Sequence, residues 1–418
     1  MSNVILSPSR LAGEVTVPPS KSVSHRAILC AVLARGRSRI RNLAFSRDIL
    51  ATLNAARSLG VSVRRDENGC VIDSSGELPG RADIDCGESG STLRFLIPVL
   101  GALGVDARLT GHGRLPGRPL GAYRDCLPPH GVRLESAGGL PLRVGGKLEP
   151  GTYLLPGGVS SQFVTGLLLA LPLLGGDSEI RLTSPLESAG YVSLTVAMLA
   201  DFGVRADRTE DGWHIPGGQR YAPQEYEVEG DWSQAAFFLA AGALGGDLSI
   251  RGLRRDSVQG DRMAEVLFTN LGAVTGWEND VLRVRGGRLR GMEIDAAQIP
   301  DLVPALAAAA ALAEGRTVIS RAGRLRLKES DRLEAMERGL SALGGKIAQT
   351  PDGLVIDGVE RLRSGHAEGY NDHRVVMALS AAALRGGRTE LTDAQSVAKS
   401  YPDFFGEYNR LGGKANVI

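Results

Sequence analysis

The sequence predicts an α/β protein of two domains built from tandem repeats, and three observations carry that expectation. At 418 residues the chain exceeds what one hydrophobic core ordinarily holds. Ala/Leu-rich helical patterns alternate along its whole length with short β-branched runs. Glycines that close those patterns recur in two phases, at Gly36, Gly104, Gly175, Gly245, Gly315 and Gly386, and at Gly60, Gly131, Gly203, Gly272, Gly344 and Gly412. Both series step by about 70 residues, the mark of repeated supersecondary units.

Within one unit a helix ends at the first glycine, a strand follows, a second helix ends at the second glycine, and a hairpin closes the unit. Glycine is placed where a helix end needs a left-handed residue. In the first unit Asp66-Glu67-Asn68-Gly69 turns the hairpin between 61–65 and 70–73. The sixth unit lacks a strand, because only 414–418 follow Gly412-Gly413. Spare strands at 4–7 and 14–17 supply it, which puts both ends of the chain in one domain. The expected domains are therefore 1–18 plus 229–418, carrying units four to six, and an inserted 19–228, carrying units one to three. Pro18-Pro19 and the polar stretch 221–230 cross between them as a hinge. A continuous solenoid fits less well, since its repeats run to roughly 20–45 residues.

Composition narrows the function. With 48 basic and 47 acidic residues there is no overall field for nucleic acid or an anionic membrane, so any anion site is local. The longest apolar run, 163–174, is too short to span a bilayer, and the first ten residues lack the apolar core of a signal peptide. Cys30, Cys70, Cys86 and Cys126 show no metal spacing and read as reduced thiols, so a cytoplasmic protein without a structural zinc site is expected. GxxxxGK[ST], GxGxxG and HExxH are absent. Only six of the 48 basic residues are lysines, at 21, 147, 328, 346, 399 and 414, so a lysine marks a place where a compact amine matters.

Each unit opens its first helix with polar residues: Lys21-Ser22-Val23-Ser24-His25-Arg26, Gly87-Glu88-Ser89-Gly90-Ser91-Thr92-Leu93-Arg94, Ser160-Ser161-Gln162, Asp231-Trp232-Ser233-Gln234, Gln298-Ile299-Pro300-Asp301 and Asn371-Asp372-His373-Arg374. Helix starts favour anions. Ordinary N-capping explains the Ser and Asp residues, but not Lys21, Arg26, Arg94 and Arg374 beside them. Equivalent positions in repeats come together around a local axis, so the six starts are expected to face one cleft. Further cations fall at Arg118-Pro119-Leu120-Gly121, Lys328-Glu329-Ser330-Asp331-Arg332 and Lys399-Ser400-Tyr401-Pro402-Asp403. The simple account of Glu329 is a solvated i, i+3 ion pair with Arg332.

Taken in order, Lys21-Ser22-x-x-x-Arg26, Gly90-Ser91-x-x-Arg94, Arg118-Pro119-Leu120-Gly121, Ser160-Ser161-Gln162, Lys328-Glu329-Ser330-Asp331-Arg332, Asn371-Asp372-His373-Arg374 and Lys399-Ser400-Tyr401-Pro402-Asp403 resemble the EPSP synthase (3-phosphoshikimate 1-carboxyvinyltransferase) family over nearly the whole chain. The resemblance implies a two-domain inside-out α/β barrel of six βαβαββ repeats, three per domain, with the active site in the inter-domain cleft. It implies transfer of the enolpyruvyl group of phosphoenolpyruvate to the 5-hydroxyl of shikimate 3-phosphate through a tetrahedral intermediate, by a monomer that needs no cofactor. By position, Lys21, Ser22, Arg26, Ser160, Ser161, Gln162, Ser188, Asp301 and Lys328 resemble shikimate 3-phosphate ligands. Lys21, Gly90, Arg118, Gln162, Arg332, Arg374 and Lys399 resemble phosphoenolpyruvate ligands. The implied catalytic groups are Asp301, as base for the hydroxyl, and Lys21 and Glu329, exchanging a proton with the methylene carbon.

The sequence departs from the family at Arg324, where some members have an Asn that contacts the phosphate, and at Glu88 and Phe95, where Asn and Pro occur. A sister family that enolpyruvylates UDP-N-acetylglucosamine usually shows Lys-Asn in place of Lys21-Ser22, and often a Cys in the loop that here, at 112–120, contains none. RNA-phosphate cyclases share related units but want a broader basic surface. A non-catalytic repeat scaffold predicts that Asp301 and Glu329 matter only for stability.

Overall fold

The computed structural model describes residues 2–418 and divides into two compact units, one formed by the segment up to Pro18 with Glu229–Ile418, the other by Pro19–Val228. Each unit has its own apolar core. Six four-stranded sheets are present, three in each unit, and all follow one plan. In the second, Arg81–Asp85 runs parallel to Asp106–Thr110, which lies antiparallel to Leu142–Gly146, which pairs in turn with Val132–Glu135. Helices Gly90–Leu103 and Gly121–Cys126 make the connections, giving the chain order βαβαββ.

The first helix of each repeat is buried on all sides. In Lys21–Leu33 every residue from Val23 to Leu33 is buried, and all of Trp232–Ala243 is. A helix that is apolar all round belongs inside. Strand Arg37–Arg41 instead alternates, with Ser38 and Ile40 inward and three arginines outward. Helices therefore sit within, covered by sheets that are separate and open at both edges.

The chain ends complete sheets. Val4–Ser7 lies between Thr389–Leu391 and Lys414–Val417, antiparallel to both, and fills the place left vacant by the shortened sixth repeat. The second N-terminal strand is Ala12–Thr16 rather than 14–17, because its parallel register with Asp247–Arg251 starts at Ala12. Glu225–Glu227 provides the parallel strand beside Arg37–Arg41 for the first sheet. The first hairpin pairs Asp66 with Gly69 across a two-residue turn.

The second glycine series adopts positive φ at all six positions, from 78° at Gly60 to 114° at Gly272. The first series does so only at Gly104, Gly245 and Gly315. Elsewhere that expectation fails for local reasons. At the end of Lys21–Leu33 the left-handed residue is Arg35, φ 44°, one position before Gly36. After Ser161–Ala170 a 3₁₀ turn, Leu171–Leu173, takes over the helix end ahead of Gly175.

Candidate functional site

At five of the six repeat openings the expected polar residue is consumed as a cap. Ser20 accepts from the Val23 N–H, Ser89 from Thr92, Ser160 from Gln162, Asp231 from Ser233 and Gln234, and Asp372 from Arg374. The fifth repeat differs. Its helix, Val303–Ala310, follows a 3₁₀ turn at Pro300–Leu302 and has no side-chain cap. Asp301 lies in that turn, so its carboxylate is not spent on a helix start.

What the carboxylate meets instead are three cations. Arg332 Nη1 donates to Asp301 Oδ1 at 3.0 Å, Arg374 Nη2 to Oδ2 at 3.2 Å, and Lys328 Nζ lies 3.5 Å from Oδ1. Burial pushes the Asp301 carboxyl up, but Arg374, Lys328 and Arg332 outweigh it and hold the group well below the usual carboxylate range. Burial brings Lys328 down to about 8, against the pull of Asp301. Lys328 keeps 26% of its side chain exposed and Asp301 15%, so a solute can reach both.

Arg332 is the hub. Its Nε donates to Asp372 Oδ2 at 2.8 Å and its Nη2 to Glu329 Oε2 at 2.7 Å, with 2% of its side chain exposed. The pair with Glu329 is therefore not the solvated i, i+3 contact of the simple reading, because the arginine is buried. Ser330 Oγ donates to Asp372 Oδ2 at 2.9 Å, and Arg374 Nη2 donates to Ser233 Oγ at 2.9 Å, which ties the fourth and sixth repeats to the fifth. Lys399, buried, donates to the Asn371 carbonyl at 2.6 Å, next to Asp372. Arg324 donates to the Ala297 carbonyl.

In the unit Pro19–Val228 a second set gathers. Lys21 Nζ donates to Asp48 Oδ2 at 2.8 Å. Arg26 is buried and donates to Thr195 Oγ1 at 2.8 Å, Thr165 Oγ1 at 3.1 Å, the Ser22 carbonyl at 2.7 Å and the Tyr191 carbonyl at 3.0 Å. These acceptors are all neutral. Burial without a carboxylate in hydrogen-bond contact pushes Arg26 down to about 10, an environment that an incoming anion would relieve. Gln162 links repeats two and three, accepting from Arg94 Nη1 at 2.6 Å and donating to Ser91 Oγ at 3.0 Å. Arg94 Nη2 also donates to the Pro119 carbonyl at 3.0 Å, in the loop that carries Arg118.

Arg118 itself lies flat against Gly90, where a Cβ would stand 2.5 Å from Nη1. Gly90 therefore makes room for the guanidinium, a nearer reason for glycine than the approach of a substrate. Ser161 is buried, and Ser188, buried and left-handed at φ 55°, precedes the helix Ala189–Asp201 without capping it.

Sequence reasoning missed Asp48 and the Thr165–Thr195 pair, and it placed Asp372 and Ser233 at helix starts without giving either a role of its own. Asp372 reads as a plain helix cap, and it does cap. Only its second oxygen, turned to Arg332 and Ser330, makes it part of the site. Its place in the polar helix start Asn371-Asp372-His373-Arg374, two positions before an arginine, was the one available signal. Among the described residues no cluster of His, Cys, Asp and Glu suits a metal ion, and no helix is long and apolar enough to cross a membrane. In one unit, then, an ionised carboxylate lies among cations beside a second carboxylate. In the other, cations stand at helix starts. Such sets can hold small polyanions and move protons.

Comparison with known proteins points the same way. The family model for EPSP synthase (3-phosphoshikimate 1-carboxyvinyltransferase) matches residues 5–408. A 3-phosphoshikimate 1-carboxyvinyltransferase of Clostridium kluyveri is 43% identical over 418 residues, covering 99% of this chain and 98% of the relative. The solved EPSP synthase of Acinetobacter baumannii superposes with a TM-score of 0.85 at 29% identity, over 100% of both chains. The enolpyruvyl transferase NikO of Streptomyces tendae, 22% identical with a TM-score of 0.80 over 100% of this chain and 98% of its own, shares the fold.

Proposed function

This chain belongs to the EPSP synthase (3-phosphoshikimate 1-carboxyvinyltransferase) family, and we propose that the Asp301 cluster and the Lys21, Arg26 and Arg118 set act on one bound pair of substrates. The reaction transfers the enolpyruvyl group of phosphoenolpyruvate to the 5-hydroxyl of shikimate 3-phosphate and releases phosphate. Shikimate 3-phosphate is held by Lys21, Ser22, Arg26, Ser160, Ser161, Gln162, Ser188, Asp301 and Lys328. Phosphoenolpyruvate is held by Lys21, Arg118, Gln162, Arg332, Arg374 and Lys399, with Gly90 leaving Arg118 its place.

The observation that carries this reading is Asp301, uncapped and gripped by Lys328, Arg332 and Arg374. Alone it is too weak a base for a hydroxyl. Incoming phosphate and carboxylate groups compete for the same cations, and as those turn to the substrates the carboxyl pKa climbs toward a useful value. Asp301 then takes the 5-hydroxyl proton as oxygen attacks the second carbon of the enol. Lys21 and Glu329 serve the methylene carbon, which gains a proton on forming the tetrahedral intermediate and, as a methyl, loses one when the carbon–oxygen bond to phosphate breaks and phosphate leaves with that electron pair. Cations on both acids offset their mutual repulsion and fix their approach.

The chain is read as a cytoplasmic monomer, which sedimentation at assay concentration tests. The mechanism is tested by Asp301→Ala and Lys21→Ala. Each is expected to keep its cooperative melt and lose turnover by about 10²–10⁴-fold. Turnover near wild type in Asp301→Ala would remove its role as base.

A further inference from the structure

The helices Lys21–Leu33 and Gly90–Leu103 open at site residues, and their far ends line a cavity of about 670 Å³ together with Leu173 of the turn that follows Ser161–Ala170. At 1.5 Å per residue those ends lie about 20 Å from Lys21 and Gly90. Leu33, Leu78, Leu103, Leu173 and Tyr221 form much of the lining. Its polar neighbours are already engaged: Ser74 Oγ donates to the Ala31 carbonyl at 3.1 Å, Tyr221 OH to the Leu169 carbonyl at 2.8 Å, and the Gln219 amide to the Arg205 and Pro216 carbonyls at 2.9 and 2.7 Å.

Two residues of the lining are different. Arg35 and Arg220 are exposed, and neither guanidinium makes a hydrogen bond or ion pair among the described residues. Arg35 also holds the left-handed position at its helix end, φ 44°, where Gly104, Gly245 and Gly315 stand in other repeats. Glycine adopts that backbone without strain and arginine does not. A strained arginine beside a hollow of mixed lining, in which Leu33, Leu78, Leu103, Leu173 and Tyr221 make the apolar part, with a second arginine in the same wall, suits a small amphipathic anion: a ring-sized body against the apolar part, and a carboxylate or sulfonate for the guanidinium groups.

We propose that this cavity is a second binding site, separate from the catalytic residues, for an aromatic organic anion. The competing account is that Arg35 and Arg220 only complement the negative ends of the helices. That account makes no distinction between charged and neutral aromatics.

The probe is 1-anilinonaphthalene-8-sulfonate, followed by fluorescence with the full chain and challenged with 1-naphthoate or the neutral 1-naphthalenemethanol. The proposal expects one saturable equivalent, displaced at least about tenfold better by the carboxylate. Arg35→Ala with Arg220→Ala should weaken the dye by a similar factor, and Ala102→Trp, which fills the hollow, should abolish its binding, all with unchanged turnover. Equal displacement by acid and alcohol overturns the proposal. So does dye binding that neither the double variant nor Ala102→Trp alters while their melts match wild type.

Discussion

Arg332 Nε donates to Asp372 Oδ2 at 2.8 Å, with 2% of the arginine side chain exposed and none of the aspartate. Burial raises the Asp372 carboxyl, yet Arg332 outweighs it and holds the pKa below its ordinary value. Removing the arginine strands a buried charge. Arg332→Met is expected to destabilise the fold by about 3–5 kcal/mol, read from the urea midpoint at constant m-value. Adding Asp372→Asn should recover part of that loss. A cost below about 1 kcal/mol for Arg332→Met would mean that the pair is solvated after all.

Gly90→Ala probes the seat of Arg118. The new methyl meets the tip of a flexible side chain, Nη1 at 2.5 Å, rather than backbone. The guanidinium can swing away, so the melting temperature should change little while KM for phosphoenolpyruvate rises about tenfold, as for a lost charge-assisted bond. An unchanged KM would detach Arg118 from that substrate.

Lys21 and Asp48 form a further pair, 2.8 Å apart with 16% and 10% of their side chains exposed. Asp48 fixes where the ammonium points. Asp48→Ala should lower kcat/KM about tenfold or more through lost positioning, with a smaller effect in Asp48→Glu. Equal loss in both variants would favour a purely structural aspartate.

Lys328, brought to about 8, sets an alkaline limb. The protonated form attracts the phosphate, so KM for shikimate 3-phosphate should climb above about pH 8, and Lys328→Arg should flatten the rise. Stability runs the other way. Between about 8 and the ordinary 10.5 the unfolded chain holds this proton more tightly, so the contribution of Lys328 to stability grows with pH. Asp301, held below its ordinary 3.8, stabilises the fold above that pH, and the contribution is lost as acid titrates it in the folded state. A KM that stays flat from pH 7 to 9.5 in the wild type would contradict the Lys328 assignment.

Local features were legible in the chain itself. Glycine at a left-handed helix end and Ser or Asp at a helix start leave a mark within a few residues, which is why Gly60 to Gly412 and the caps at Ser89, Ser160 and Asp231 could be read directly. Side-chain pairing across repeats leaves none. Lys21 and Asp48 stand 27 positions apart, and Arg26 reaches Thr165 and Thr195 at separations of 139 and 169. No periodicity encodes such partners. Arg35 shows the opposite failure: an arginine holds a glycine's backbone position, and the pattern slips by one residue.

The most direct measurement is phosphate release by purified protein given phosphoenolpyruvate with shikimate 3-phosphate, with UDP-N-acetylglucosamine, or with no acceptor. Sustained release only with shikimate 3-phosphate, abolished by Asp301→Ala in a protein that still melts cooperatively, is the predicted result. Release with the UDP-sugar alone, or with neither acceptor, would contradict it.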